Sequence, residues 1–245
     1  MLRAFSIAIL LTFVGWPIMG SAQELTLSLG EDGSLTNRSI QLIALITVLS
    51  IAPGLAIMLT CFPFIVTVLS ILRQGLGLQQ APPNMLIVSL ALFLTYFVMD
   101  PVFRTAWETG IAPMVEGTLV PEIAFERALE PFRVFMLGRT DSDTLAHLAD
   151  LRIETGATEL INADTPPLSL LIPSFLLSEI ERAFQIGFLI FLPFLIIDLV
   201  VAAVLMSMGM MMVPPAVVAL PFKLAFFVVA DGWTLLSEAL LRSYM

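Results

Sequence analysis

Residues Phe188–Pro215 read FLIFLPFLIIDLVVAAVLMSMGMMMVPP. From Phe188 to Val213 the only charge is Asp198, and a helix of that length runs about 39 Å, more than the roughly 30 Å of a bilayer's hydrocarbon core. The stretch reads as a membrane span and not as the core helix of a soluble domain. It closes with Met206, Met208 and Met210 to Met212, and then with Pro214 and Pro215. Prolines lack an amide donor and push the residue before them out of helical geometry, so the methionines lead into a forced break and thioethers line a turn.

The composition around this stretch agrees with it. Of 245 residues, 58% are hydrophobic and 13% charged, and the mean hydropathy is +0.98, the balance of an integral membrane protein. The net charge of -9 argues against nucleic acid as a partner, because phosphates would be repelled. Cys61 and His147 are each the only residue of their type, so neither a disulfide framework nor a structural zinc or thiol-redox site is expected. Cys61 reads as filler on an apolar helix face and His147 as a surface residue.

Residues 1–22 carry Arg3, a compact apolar run from Ala4 to Met19 and then Gly20-Ser21-Ala22, which predicts a secretory signal cleaved after Ala22; a retained anchor is the competing reading. Residues 23–39 are polar and without periodicity, a flexible exported segment. A first hydrophobic half covers 40–107. Its opening block, Ile40 to Leu72, would run about 50 Å as one helix and must be interrupted, with Pro53-Gly54 and Pro63 as the candidates. The connector from Arg73 to Asn84 carries Arg73 and no acid, which places it on the cytoplasmic side. Met85 to Phe103 forms the next block, expected to stop or kink at Asp100-Pro101.

Residues 108–165 change character. Between Glu108 and Asp164 there are eleven Asp or Glu against four Arg, too long and too polar for a turn. Apolar spacing predicts helices over Ala124 to Leu137 and Thr144 to Leu151, the first with Phe125, Leu129, Phe132 and Met136 on one face. This is a structured subdomain on the periplasmic side. A second hydrophobic half, 166–245, opens with SLLIPSFLLSEIERAFQIGFLIF. Charges in such a run face protein or water and not lipid, so Glu179, Glu181 and Arg182 mark a protein interface. Beyond the methionine break, Ala216 to Ala230 returns through the membrane with Lys223, and Trp233 to Met245 forms a short amphipathic tail. Four hydrophobic segments in the mature chain make an all-α, multi-pass membrane protein of helical hairpins.

Folding the last hairpin about Val213-Pro214 sets Lys223 level with about Leu205, where no acid stands, and Asp198 level with about Ala230, next to Asp231. On that count the two acids crowd each other. Lys223 then needs a carboxylate from elsewhere, and Glu179, across a subunit boundary, is the choice.

No motif of catalysis is present: no paired histidine and glutamate at zinc spacing, no phosphate loop, no serine elbow. The chain reads as no enzyme and calls for no cofactor. Asp198 and Lys223 in apolar surroundings keep a proton-coupled small-molecule transporter as the alternative, although the two halves share no pattern of internal repeats.

Two stretches carry a resemblance. PSFLLSEIERAFQIGF (Pro173 to Phe188) and PFLIIDLVVAAVLMSMGMMMVPP (Pro193 to Pro215) resemble the signature stretches of the FliP family of type III export-gate proteins. RQGLGLQQAPPN (Arg73 to Asn84), PFRVFMLGRTD (Pro131 to Asp141) and ALPFKLAFFVVADGW (Ala219 to Trp233) extend the likeness from about Leu42 to the last residue. The signal, the exported tail and PFRVFM are more similar to the flagellar branch than to its relatives in virulence secretion. The resemblance implies the core pore-forming subunit of the flagellar export gate, in the bacterial inner membrane at the flagellar basal body. It also implies five copies in a closed helical ring with FliQ, one FliR and other export-apparatus membrane proteins, through which unfolded flagellar subunits pass. Much of the ring would stand on the periplasmic side of the bilayer, with Met210, Met211 and Met212 as a flexible gasket. Without the resemblance a methionine cluster reads as packing; with it, the unbranched, polarizable side chain suits a seal that must yield.

Overall fold

The computed structural model describes residues 40–244 apart from positions 41, 45, 48, 49, 52, 53, 55, 56, 79–81, 155–165 and 211. The expected signal, the exported segment, Pro53 and Met211 therefore lie outside the described residues. The chain divides into two compact units, Met1–Val48 and Leu49–Met245. In the first, the described residues between 40 and 47 are helical and exposed, and the Thr47 hydroxyl donates to the Ile43 carbonyl at 2.7 Å.

Every regular element described in the second unit is helical: α1 (Phe62–Gly75), α2 (Asn84–Ala106), a π-helical turn (Trp107–Ile111), α3 (Ala112–Val115), α4 (Pro121–Arg139), α5 (Ser142–Glu154), α6 (Leu168–Ser207), α7 (Pro215–Val229) and α8 (Gly232–Arg242). The first apolar block breaks where Pro63 allowed, since Pro63 occupies the first turn of α1, after a turn over residues 59–61. The Thr60 hydroxyl donates to Ile57 O at 2.7 Å and accepts the Phe62 N–H at 3.3 Å. Gly54 is helical, and a break at Pro53-Gly54 falls among positions outside the described residues.

Of the stop or kink expected at Asp100-Pro101, the stop does not occur. α2 runs through it to Ala106, and the irregularity comes a turn later. Pro113 has no N–H to continue the usual ladder, and the Ala112 N–H reaches back five residues to Trp107 O. This π turn brings Gly110 so close to α4 that a Cβ there would lie 2.5 Å from the Ala124 carbonyl oxygen. The two helices of the acidic subdomain form as their spacing predicts. Met136 of the expected face is buried, but Phe125 is 68% exposed; α4 turns Ala124 inward in its place, because the π turn presses on Ala124.

The core lies between α1 and α6. Phe64, Ile65, Val68, Leu69 and Leu72 of α1 are buried with Ala183 and Phe194 of α6. Ile71 lies against Gly187, where a Cβ would meet its Cδ1 at 2.4 Å, and Gly75 lies against Phe194 and Phe191. Both chains advance in the same direction through these contacts, so α1 and α6 pack in parallel. A smaller cluster joins Met136 of α4 to Leu171 and Phe175 of α6. Cys61 is buried, as filler should be.

α6 is 40 residues long, with Pro173 and Pro193 inside it, and extends about 60 Å. Of the four hydrophobic segments expected, the first lies partly outside the described residues. Among the described residues, two helical stretches, Asn84–Val115 and Leu168–Ser207, are long and apolar enough to cross a membrane. The pair α7 and α8, bent by 62°, makes a third if taken as one span. α1 is apolar but has 14 residues, about 21 Å, short of a crossing.

Candidate functional site

The methionine hairpin is built by a glycine that the sequence reading passed over. α6 ends at Ser207, and Gly209 adopts φ 76°, a conformation that L side chains resist. The Met210 N–H then donates to Leu205 O at 3.0 Å and the Gly209 N–H to Met206 O at 3.0 Å, the paired bonds of a Schellman closure. Pro214 precedes the next helix and Pro215 opens it, so the expected break stands. Between them the described methionines face outward: Met210 is 38% and Met212 98% exposed. The hairpin also leaves an apolar groove of about 540 Å³ between α6 and α7, lined by Val200, Val204, Met208 and Phe222 among others.

Below the loop stands the first charged node, and it corrects the expected pairing. Lys223 Nζ lies 2.6 Å from Asp198 Oδ2 and donates to Gly75 O, at the C-terminal end of α1, at 3.0 Å. The level count failed because it centred the turn on Val213-Pro214, whereas the non-helical segment begins at Met208. Asp198 stands nine residues before Ser207 and Lys223 eight after Pro215, so the two are level. The cation also meets the negative end of the α1 dipole. One ammonium thereby joins α1, α6 and α7. Asp198 Oδ1 is buried without a partner among the described residues.

Asp231 does not crowd Asp198. It sits at the bend between α7 and α8 with φ 49°, its Oδ1 accepting the Thr234 hydroxyl at 3.1 Å. Gly232 follows because a Cβ there would lie 2.2 Å from Phe227 Cε2.

Glu179, expected to reach Lys223, belongs to a second node. Its side chain is 0% exposed, and Oε1 lies 3.0 Å from Arg139 Nε. Oε2 accepts the Tyr244 hydroxyl. Arg182, half-buried, is farther off at 3.8 Å. Arg139 Nη1 donates to Ser243 O at 2.9 Å, and its guanidinium lies 4.1 Å over the Tyr244 ring. Burial first, and the Glu179 charge second, raise the Tyr244 pKa, so the phenol holds its proton and donates. Arg139 and Tyr244 escaped the sequence reading. The one signal for Arg139 was its place in PFRVFMLGRTD, and nothing local marked Tyr244.

Nearby, the Asp141 N–H donates to Ser178 Oγ at 2.9 Å, tying the start of α5 to α6. The Asp141 carboxylate accepts the Thr144 N–H at 3.0 Å, and that bond lowers its pKa. His147 is exposed, as expected. No group of His, Cys, Asp and Glu that could hold a metal occurs among the described residues.

The sequence matches the FliP family over residues 45–240. It is 47% identical to the flagellar biosynthetic protein FliP of Caulobacter vibrioides over 99% of this chain and 92% of the relative. To the protein of the same name from Rhizobium meliloti it is 48% identical over 87% of each. To that of Bacillus subtilis it is 43% identical over 87% of this chain and 96% of the relative. With the hairpin glycine, the paired prolines and the Lys223–Asp198 bond all inside the matched residues, the chain belongs to the FliP family.

Proposed function

We propose that this chain is the pore-forming subunit of the flagellar type III protein export gate. Copies of it, five in number, close a helical ring in the bacterial inner membrane at the flagellar basal body. FliQ, FliR and the other membrane proteins of the export apparatus complete the ring, and unfolded flagellar subunits pass through its axis. The observation that carries this reading is the hairpin. Gly209 and the two prolines project methionines between two apolar helices, and Met212 is 98% exposed.

An apolar side chain so placed is costly in water and needs a cover. Around a ring axis each loop covers its neighbours, and the thioether's three rotatable bonds let the seal close without a fixed partner and yield to varied sequences. Three consecutive residues on a helix point about 100° apart and would not share one packing stripe; a loop aimed at an axis uses all of them. The Lys223–Asp198 bond fixes the depth of that loop against α1. Glu179 and Arg182 support the chain from within, while Asp198 keeps one oxygen unpartnered among the described residues.

The test is the combined variant Met210→Ala, Met211→Ala, Met212→Ala. Shortening three side chains without adding charge leaves folding and ring assembly intact, while the resting gate leaks ions and small membrane-impermeant solutes in proportion to assembled complexes. Export continues, because a seal opposes passage and supplies no drive. A variant that assembles, exports and stays as tight as the parent overturns the gasket, and loss of assembly assigns the methionines to packing.

A further inference from the structure

A carboxylate as deeply buried as Glu179 survives only if donors replace its water. Two do so directly, Arg139 from the end of α4 and Tyr244 from the segment after α8. That short segment grips more than Glu179. The Tyr244 ring stacks on Phe135 of α4 at 6.1 Å and meets Phe64 of α1 edge-on at 5.4 Å, and the Ser243 carbonyl holds Arg139. Two residues outside any helix therefore touch α1, α4 and α6 together. Their contacts are directional. A hydrogen-bonded phenol and a guanidinium stacked on its ring fix one seating, where an all-apolar tail could slide. α8 ends at Arg242, and the Ser243 and Tyr244 N–H groups donate back to Ala239 O and Leu241 O at 3.1 Å, so the last turn of α8 carries the grip.

We propose that Ser243–Tyr244 is a latch that clasps the end of α4, and with it the α4–α5 subdomain, onto α1 and α6. The latch couples two distant parts of the chain. α8 continues the hairpin that carries the methionine loop, so the subdomain and that hairpin are held by the same clasp, whatever passes through the assembled ring.

Cys61 supplies a native reporter. It is the only cysteine, it is buried, and it immediately precedes the helix whose Phe64 the Tyr244 ring covers. Full-length protein in membranes is treated with N-ethylmaleimide and the rate of Cys61 alkylation followed. Losing a donor to a buried carboxylate, together with the ring, raises local opening, so Tyr244→Ala accelerates labelling on the order of tenfold. Tyr244→Phe, which keeps the ring, gives a smaller rise. A second reporter, Ala219→Cys in a Cys61→Ala background, sits at a buried position of α7 and stays protected in both variants. Unchanged Cys61 labelling in Tyr244→Ala overturns the latch, as does a parallel rise at both cysteines, which signals general loosening. Where Tyr244→Ala fails to accumulate, unchanged labelling in Tyr244→Phe overturns it equally.

Discussion

The two charged nodes lie on one helix, at Glu179 and Asp198, nineteen residues or about 28 Å apart, and they are built on opposite plans. At Glu179 both oxygens are engaged, by a planar guanidinium and by a phenol, and the side chain is fully covered. At Asp198 one oxygen takes a lysine ammonium while the other has no partner among the described residues, and the side chain is 32% exposed. Arginine's fork fixes geometry and lysine supplies a point charge. The contrast separates a node closed at its carboxylate, where Arg139 Nη2 is buried without a partner among the described residues, from an open one, beside the methionine hairpin, with acceptor capacity left over.

The closed node should fail hardest. Glu179→Ala strands Arg139 beside an apolar side chain and costs about 3–5 kcal/mol, read as loss of full-length protein from membranes or a lowered unfolding midpoint in detergent. Glu179→Gln, which keeps an acceptor, costs about 1–3 kcal/mol. If both are silent, the node is not structural and the contrast collapses.

The open node should lose less and be exchangeable. Lys223→Ala or Asp198→Ala costs about 1–3 kcal/mol, since the Asp198 side chain is 32% exposed and a stranded Lys223 keeps the Gly75 carbonyl. The double swap Lys223→Asp with Asp198→Lys recovers part of the loss by restoring one bond. The swap Lys223→Glu with Glu179→Lys recovers nothing, because the two side chains belong to separate nodes. Rescue by that second swap and not by the first reinstates the pairing across a subunit boundary.

Gly209→Ala tests how much of the open node's position comes from the turn. At φ 76° a Cβ costs about 1 kcal/mol, and no atom stands within 4 Å to add a clash. Gly117, at φ 74° and equally open, is the matched control. Both variants should destabilise alike, and Gly209→Ala alone should alter solute leakage. Equal leakage in both would detach the turn from the loop's role.

Much of this architecture was legible in the sequence because it rests on local chemistry. Pro63 and Pro214-Pro215 stand at helix starts, where a missing N–H is tolerated, although Pro101, Pro173 and Pro193 are carried inside helices, and the spacing of apolar residues set out α4 and α5. What failed depended on distance in the chain. Level counting along the hairpin needed the true start of the turn, and a glycine in MSMGMMM does not announce a positive φ. Phe125 was misplaced because its face is decided by the π turn pressing on Ala124, sixteen residues after the π turn's Glu108. Arg139 and Tyr244 meet Glu179 across 40 and 65 residues, and hydropathy carries no information at that range.

The smallest expected effect lies between the nodes, at Asp231. Its φ of 49° and ψ of 46° place a non-glycine residue in the left-handed region, so Asp231→Gly relieves about 0.5–1 kcal/mol of strain. Against this stand the lost bond to the Thr234 hydroxyl and the greater freedom of glycine in the unfolded chain, together about as large. The net change should stay within about 0.5 kcal/mol of zero. The 62° bend should persist, because Gly232 packs on Phe227 and Trp233 meets the same ring edge-on at 5.4 Å. With the bend intact, Lys223 keeps Asp198 and Tyr244 keeps Glu179, so Cys61 alkylation should match the parent. A clear loss of stability, or faster alkylation, would mean that Asp231 itself holds the bend and that the open and closed nodes communicate through it.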